Sequence, residues 1–200
     1  MKHSAYMSGY PDGSFKPDQK ITRAEMAALL FKAAAGEKQG AAAAFSDVPA
    51  GYWAAEAIAG AAEMGLMTGY PDGSFKPKEQ ITRAEMASLA AQLSKSNDVP
   101  GGGFTDVAAG HWALSAILQA QGAGILNGYA DGTFRPGKAL TRAEAVTAVN
   151  RALGRGPLFG AKASPWSDVP LTHWAFADIL EASTAHAYKA KAGGGEEMSN

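Results

Sequence analysis

Gly9-Tyr10-Pro11-Asp12-Gly13-Ser14-Phe15-Lys16-Pro17 returns unchanged as Gly69 to Pro77. A third version, Gly128-Tyr129-Ala130-Asp131-Gly132-Thr133-Phe134-Arg135-Pro136, keeps the same spacing. Each copy leads, at a fixed distance, to Thr-Arg-Ala-Glu: Thr22 to Glu25, Thr82 to Glu85 and Thr141 to Glu144. This unit is half B. A second pattern, half A, reads Phe45-Ser46-Asp47-Val48-Pro49 then Tyr52-Trp53, Phe104-Thr105-Asp106-Val107 then His111-Trp112, and Trp166-Ser167-Asp168-Val169-Pro170 then His173-Trp174. The order along the chain is B, A-B, A-B, A, with a period of about 60 residues. Self-similarity at a fixed period means one supersecondary unit used repeatedly, so the fold is read from the unit.

Half B opens with a loop. Tyr-Pro-Asp-Gly places Pro at i+1 and Gly at i+3 of a type I turn. Phe15, Phe75 and Phe134 are the apolar residues that pin the loop to a core. Thr-x-x-Glu is then a capping box, with Thr as N-cap and Glu reaching back to the cap N–H. The helix that follows is amphipathic through Met26, Leu29, Leu30 and Ala33, and its copies through Met86, Leu89, Ala90, Leu93 and Ala145, Ala148, Val149, Leu153. Half A carries a 3.6-residue stripe through Trp53, Ala57, Ile58, Ala61 and Met64, stopped by Gly65 with Leu66 after it. The second copy runs through Trp112, Ala116, Ile117, Ala120 and Ala123, the third through Trp174, Ala177, Ile179 and Leu180. The segments Gly36–Ala44, Asn97–Gly103 and Gly154–Pro165 read as Gly/Ala-rich connectors, and residues 190–200 as a disordered tail.

Apolar residues make up 46% of the 200, enough for a sizeable core. Eighteen Lys and Arg against nineteen Asp and Glu leave a net charge of −1, which excludes a bulk-electrostatic nucleic-acid binder and an acidic disordered chain. No apolar run approaches the roughly 18 residues of a membrane span. The absence of cysteine excludes disulfides, thiolate metal ligands and Cys nucleophiles. The polar residues after Met1 show no signal-peptide h-region, so an exported form would be a mature piece or a fragment.

The pairing of F-S/T-D-V…(H/Y)-W with G-Y-x-D-G-x-F-(K/R)-P…T-R-A-E resembles the S-layer homology (SLH) family over residues 3–188. The resemblance implies an all-α, pseudo-threefold domain with a central helix bundle and three loop-helix lobes. Residues 1–189 would form that one domain, from half B 9–35, the A-B pairs 45–94 and 104–153, and half A 166–183. It also implies the job: non-covalent anchoring of an exported protein at the bacterial cell wall or S-layer, through secondary cell-wall polysaccharide and its pyruvylated sugars. A monomer with internal pseudo-threefold symmetry and no cofactor is expected. The staggered halves leave three motifs if half A at 166–181 packs against the first half B, whose helix over 22–35 otherwise exposes its stripe.

Arg23, Arg83 and Arg142 fall at the first position of a helix, where a cation faces the positive end of the macrodipole at a cost of about 0.3–1 kcal/mol. Making that choice three times points to an anion held by the guanidinium and free helix N–H groups together. A ketal carboxylate suits a guanidinium fork. An internal bridge, such as Arg83 to Asp106 or Asp72, explains the arginines equally well from the residues alone; the resemblance favours the ligand. Trp53, Trp112 and Trp174 read from the period as core knobs, and as sugar platforms if an edge is open. Gly9, Gly69 and Gly128 are expected at φ > 0, allowing close approach of a ligand. Asp12, Asp72 and Asp131 could accept sugar hydroxyls, or simply form the turns. Asp47, Asp106 and Asp168 read as Asx-turns or caps before the half-A helix, and Lys16, Lys76 and Arg135 as solvated loop cations. Each groove would take the Arg and loop of one half B and the Trp of a neighbouring half A, with Ala130 weakening the Arg142 groove.

Enzymatic signals are thin. The four histidines show no H-E-x-x-H or i, i+4 pair, so a catalytic zinc site is not expected. There is no G-x-S-x-G, and the loops do not meet the calcium-loop pattern. Catalytic and metal residues are therefore assigned to none. A structural protein–protein assembly module is the alternative reading, and a wall-glycan hydrolase a more distant one.

Overall fold

A computed structural model describes residues 1–35, 45–94, 103–192 and 194–199. The connector at 36–44 and all but Gly103 of the connector at 97–103 lie outside the described residues. Half B yields α1 (Arg23–Ala35), α3 (Arg83–Ser94) and α5 (Arg142–Ala152). Half A yields α2 (Ala55–Glu63), α4 (Leu114–Gly122) and α6 (Phe176–Ser183). Every half-B helix starts on its capping box: Glu25, Glu85 and Glu144 each accept from the Thr backbone N–H at 2.8 Å, and each Thr hydroxyl accepts from the Glu N–H.

The helices pack as pairs, α1 on α2, α3 on α4 and α5 on α6. Gly60 of α2 makes room for the Phe31 ring of α1, since a Cβ there would overlap it. The half-B strands of chain just before the caps then join the repeats. Ile21 N–H donates to Leu140, Leu140 to Ile81, and Ile81 to Ile21, at 3.0–3.1 Å. These three residues and Phe15, Phe75 and Phe134 are fully buried at the centre of the hydrophobic core. Three backbone bonds closing on themselves fix the repeats against one another, because any one repeat leaving the ring strands a buried donor and a buried acceptor.

The expected packing of helix 22–35 against residues 166–181 is not what closes the chain. Helix α1 is covered by α2, its neighbour in sequence, and α6 covers α5. Closure is made by the loop before α6 instead: Ser167 N–H donates to the Gly13 carbonyl at 3.0 Å, and Trp166 packs on Phe15 at 5.9 Å between centroids.

The all-α expectation is also corrected. Beside the six helices, the described residues form a four-stranded sheet, so the chain is mixed α/β. Its strands are β1 (Lys2–His3), β2 (Leu158–Phe159), β3 (His186–Ala190) and β4 (Glu196–Met198), in the order β1-β3-β4-β2. β1 and β4 run antiparallel to β3, and β2 runs parallel to β4. Part of the segment expected to be disordered is therefore β4, and Leu158 from the last connector is a fully buried residue of β2. Strands this short carry no readable alternation, and the partners of β1 and β2 lie far away in sequence.

Candidate functional site

The half-B loops are built from their own residues. Gly13 N–H donates to the Tyr10 carbonyl at 3.0 Å, and Gly13 holds φ 78°. The Asp12 carboxylate accepts from the Ser14 N–H at 3.0 Å and its hydroxyl at 2.6 Å, and Asp72 and Asp131 do the same with Ser74 and Thr133. The Ser14 and Ser74 hydroxyls hold the Asp12 and Asp72 carboxyls below the usual range. Asp131, bonded to the Thr133 hydroxyl and backbone and to Arg135, falls to about 2. The turn-forming reading accounts for these contacts of the three acids.

Asp47, Asp106 and Asp168 do not cap half A. Each reaches across to the next loop and accepts two backbone N–H groups at 2.7–2.8 Å: Asp47 from Phe75 and Lys76, Asp106 from Phe134 and Arg135, Asp168 from Phe15 and Lys16. Desolvation pushes the Asp106 carboxyl up, but those two N–H groups outweigh it and the net direction is down. The clamp holds Lys16, Lys76 and Arg135 at φ 56–57°, a left-handed conformation that non-glycine residues rarely take. Thus bent, each cation lies over the loop Tyr, 4.0 Å from Tyr10, 4.2 Å from Tyr70 and 4.0 Å from Tyr129.

Gly9, Gly69 and Gly128 are not among the residues at positive φ, contrary to expectation. Their constraint is space. A Cβ on Gly69 would overlap the Phe45 ring, on Gly128 the Phe104 ring, and on Gly9 the Trp166 indole. The glycines let the first aromatic of half A pack close against the loop.

The arginines are buried, each with 4–6% of its surface exposed. Arg23 Nε donates to the Phe75 carbonyl at 2.8 Å and Nη2 to Thr68 at 2.9 Å. Arg83 does the same with Phe134 and Asn127, and Arg142 with Phe15 and Ser8. Desolvation by this burial lowers the Arg142 pKa. Two arms of every guanidinium thus bind the next loop around the ring. The helix N–H groups expected to be free are used as well. Arg23 N–H donates to Glu79 and Ala24 N–H to Pro77, and the equivalent pairs recur in the other repeats. A helix-terminus anion site is therefore closed off, and those carbonyls offset the macrodipole penalty on each Arg.

The third arm differs between repeats. Arg23 Nη1 pairs with Glu85 Oε1 at 2.8 Å, while Arg142 Nη1 lies 3.8 Å from Glu25 Oε1. In the remaining repeat Lys138 takes the equivalent carboxylate, Glu144, at 3.0 Å and bonds the Tyr129 hydroxyl at 2.9 Å. Those two bonds raise the Lys138 pKa. Desolvation works against Glu144 ionising, but the Thr141 N–H and Lys138 hold its carboxyl low. Among the described residues, Arg83 then has no carboxylate within 4 Å.

Beside these arms stand the tryptophans. Trp53, Trp112 and Trp174 are 65%, 68% and 64% exposed, so the core-knob reading is replaced. Their helices begin at Ala55, Leu114 and Phe176, so each Trp precedes the helical stripe instead of opening it. His111 and His173 stack on the following Trp at 5.7 and 5.8 Å, and their Nδ1 atoms accept from the Ala113 and Ala175 N–H groups at 3.1 Å. A cleft of about 590 Å³ gathers Arg23, Gly69, Tyr70, Glu85 and Trp112. Its Arg comes from one half B, its loop from the next, and its Trp from the half A beyond. The expected pairing of Arg with its own loop is corrected, and the Ala130 turn belongs with Arg83 rather than Arg142.

The S-layer homology domain profile matches residues 2–27, 44–87 and 103–146. The chain is 44% identical to Cell surface glycoprotein 1 of Acetivibrio thermocellus over 94% of its own length and 9% of that protein. It is 40% identical to the Cellulosome-anchoring protein of the same organism, over 98% of the chain and 46% of that protein. A Surface layer protein of Brevibacillus choshinensis is 37% identical over 47% of the chain and 9% of that protein. The chain thus spans less than half the length of these relatives. No helix among the described residues is long and apolar enough to cross a membrane. Extracellular, at the cell wall, and serving as a cell-surface anchoring module, the chain belongs to the S-layer homology domain family.

Proposed function

We propose that the inter-repeat clefts bind secondary cell-wall polysaccharide through its pyruvylated sugars, and that this binding is how the module anchors. The observation that carries the reading is a guanidinium fixed by two backbone carbonyls beside an exposed indole. Fixing two arms pre-organises the third at no further ordering cost on binding. A ketal carboxylate accepts from a charged N–H, and an apolar sugar face packs on an indole. The cleft carboxylates argue against acid–base chemistry. Glu85 is divided between Arg23 and the Thr82 cap, and Glu144 is held ionised, whereas a general acid needs a raised pKa.

The clefts differ in how free their guanidinium is. In that of Arg83, Lys138 neutralises the carboxylate and leaves an arm open for an anion. The cleft of Arg23 has its arm occupied by Glu85. This ranks the Arg83 cleft first, although its loop carries Ala130 where the other two turns have proline. Lys138→Ala is therefore expected to weaken binding of a monomeric pyruvylated sugar about tenfold, since Glu144 then competes for Arg83 at a cost near 1.4 kcal/mol. Calorimetry against the same sugar with and without its ketal carboxylate checks both points. Equal affinity for the two sugars, with Lys138→Ala unchanged, would contradict the reading.

A further inference from the structure

His3, Glu181, His186 and Glu196 converge from β1, the end of α6, β3 and β4, with one ligand atom of each inside a span of 4.8 Å. None of the four belongs to the Arg23 cleft. Glu181 is fully buried, and His186 and Glu196 are 8% and 5% exposed. We infer that these side chains form a zinc site that clasps the four-stranded sheet to α6.

The hydrogen-bond pattern is the main support. His186 Nδ1 lies 2.7 Å from the Thr184 carbonyl, which can only accept, so Nδ1 carries the hydrogen. In the neutral ring Nε2 is then a bare lone pair. It faces Glu181 Oε2 at 2.8 Å, also a lone pair. His186 Nε2, Glu181 Oε2 and Glu196 Oε2 are all buried without a hydrogen bond. Acceptors crowd together in that way when a cation sits between them, or when both imidazoles carry a second proton.

The outer atoms of the same groups are already tied down. Glu181 Oε1 accepts from Arg155 Nε at 2.7 Å, and Glu196 Oε1 from the Gly156 N–H at 3.2 Å. With the Thr184 bond to His186, this is the supporting shell that orients metal ligands. The size also fits. His186 Nε2 lies 2.8 Å from Glu181 Oε2 and 3.6 Å from Glu196 Oε2, and His3 Nδ1 lies 3.3 Å from Glu196 Oε2. A tetrahedron with bonds of about 2.0–2.1 Å has edges of about 3.3 Å. Two imidazole nitrogens and two carboxylates select zinc over calcium or magnesium, which prefer oxygen ligands in larger number. Two glutamates also balance its charge.

The chelator-stripped, dialysed full chain should take up one zinc from zinc chloride in calorimetry, with Tm rising as zinc is added. Cobalt(II) in its place should give the intense visible absorption of a four-coordinate centre. His3→Ala and Glu196→Gln, checked for folding by circular dichroism, should each weaken zinc binding about 100-fold or more. If the unmutated chain shows no stoichiometric zinc uptake, no Tm shift and only the pale spectrum of six-coordinate cobalt, the cluster is a proton-bridged ion network and the inference fails. It fails equally if both variants fold and bind zinc as tightly as the unmutated chain.

Discussion

Arg23→Ala should cost about 3 kcal/mol or more of folding stability, a large share of what a domain of this size possesses. The side chain is 5% exposed and its guanidinium makes three bonds, to Phe75, Thr68 and Glu85. Truncation leaves two carbonyls without those donors and a mostly buried carboxylate without its cation, and unmade bonds of this kind dominate the cost. Arg23→Lys should recover only part of the loss, because an ammonium cannot span the same three acceptors. Arg83→Ala should cost less, since Arg83 gives up two carbonyl bonds but no carboxylate. Urea unfolding at constant m-value measures all three. A loss below about 1 kcal/mol for Arg23→Ala would mean that the guanidinium is not a structural tie.

Asp168→Ala tests how the ring closes. Its carboxylate accepts from Phe15 and Lys16 at 2.7 and 2.8 Å, across more than 150 residues of sequence. Two charge-assisted bonds are worth about 1.5–3 kcal/mol each. Relief of the left-handed strain at Lys16 returns about 1–2 kcal/mol, so the net loss should be about 1–5 kcal/mol. Local amide exchange discriminates better than the total. The Phe15 and Lys16 amides should exchange much faster in the variant, while Phe75 and Lys76, clamped by Asp47, keep their protection. Uniform acceleration at both loops would show that Asp168 supports the whole fold rather than this joint.

Much of this architecture could be read directly. The capping boxes placed the starts of α1, α3 and α5 because a Thr-x-x-Glu pair has one geometry that satisfies it. The turn chemistry placed Asp12, Asp72 and Asp131 in their loops for the same local reason. What could not be read depends on partners distant in sequence. Nothing near Gly69 announces that its missing Cβ accommodates Phe45, although Phe104 and Gly128 repeat the pair at the same spacing and a comparison of repeats could have shown it. The tryptophans fit a helical period by accident of position, since the helix begins two residues later. His3 and Glu196 meet only because short strands bring both ends of the described chain into one sheet. The arginines show the opposite lesson. Their unfavourable helix position did signal a special role, but the backbone carbonyls of the next repeat take up most of it.

Sedimentation of the purified chain with bacterial cell walls, before and after chemical removal of the secondary polymer, tests the anchoring account most directly. Binding should be strong on intact walls and lost on stripped ones. Undiminished binding to stripped walls would contradict it, and would move the ligand to peptidoglycan or to another protein.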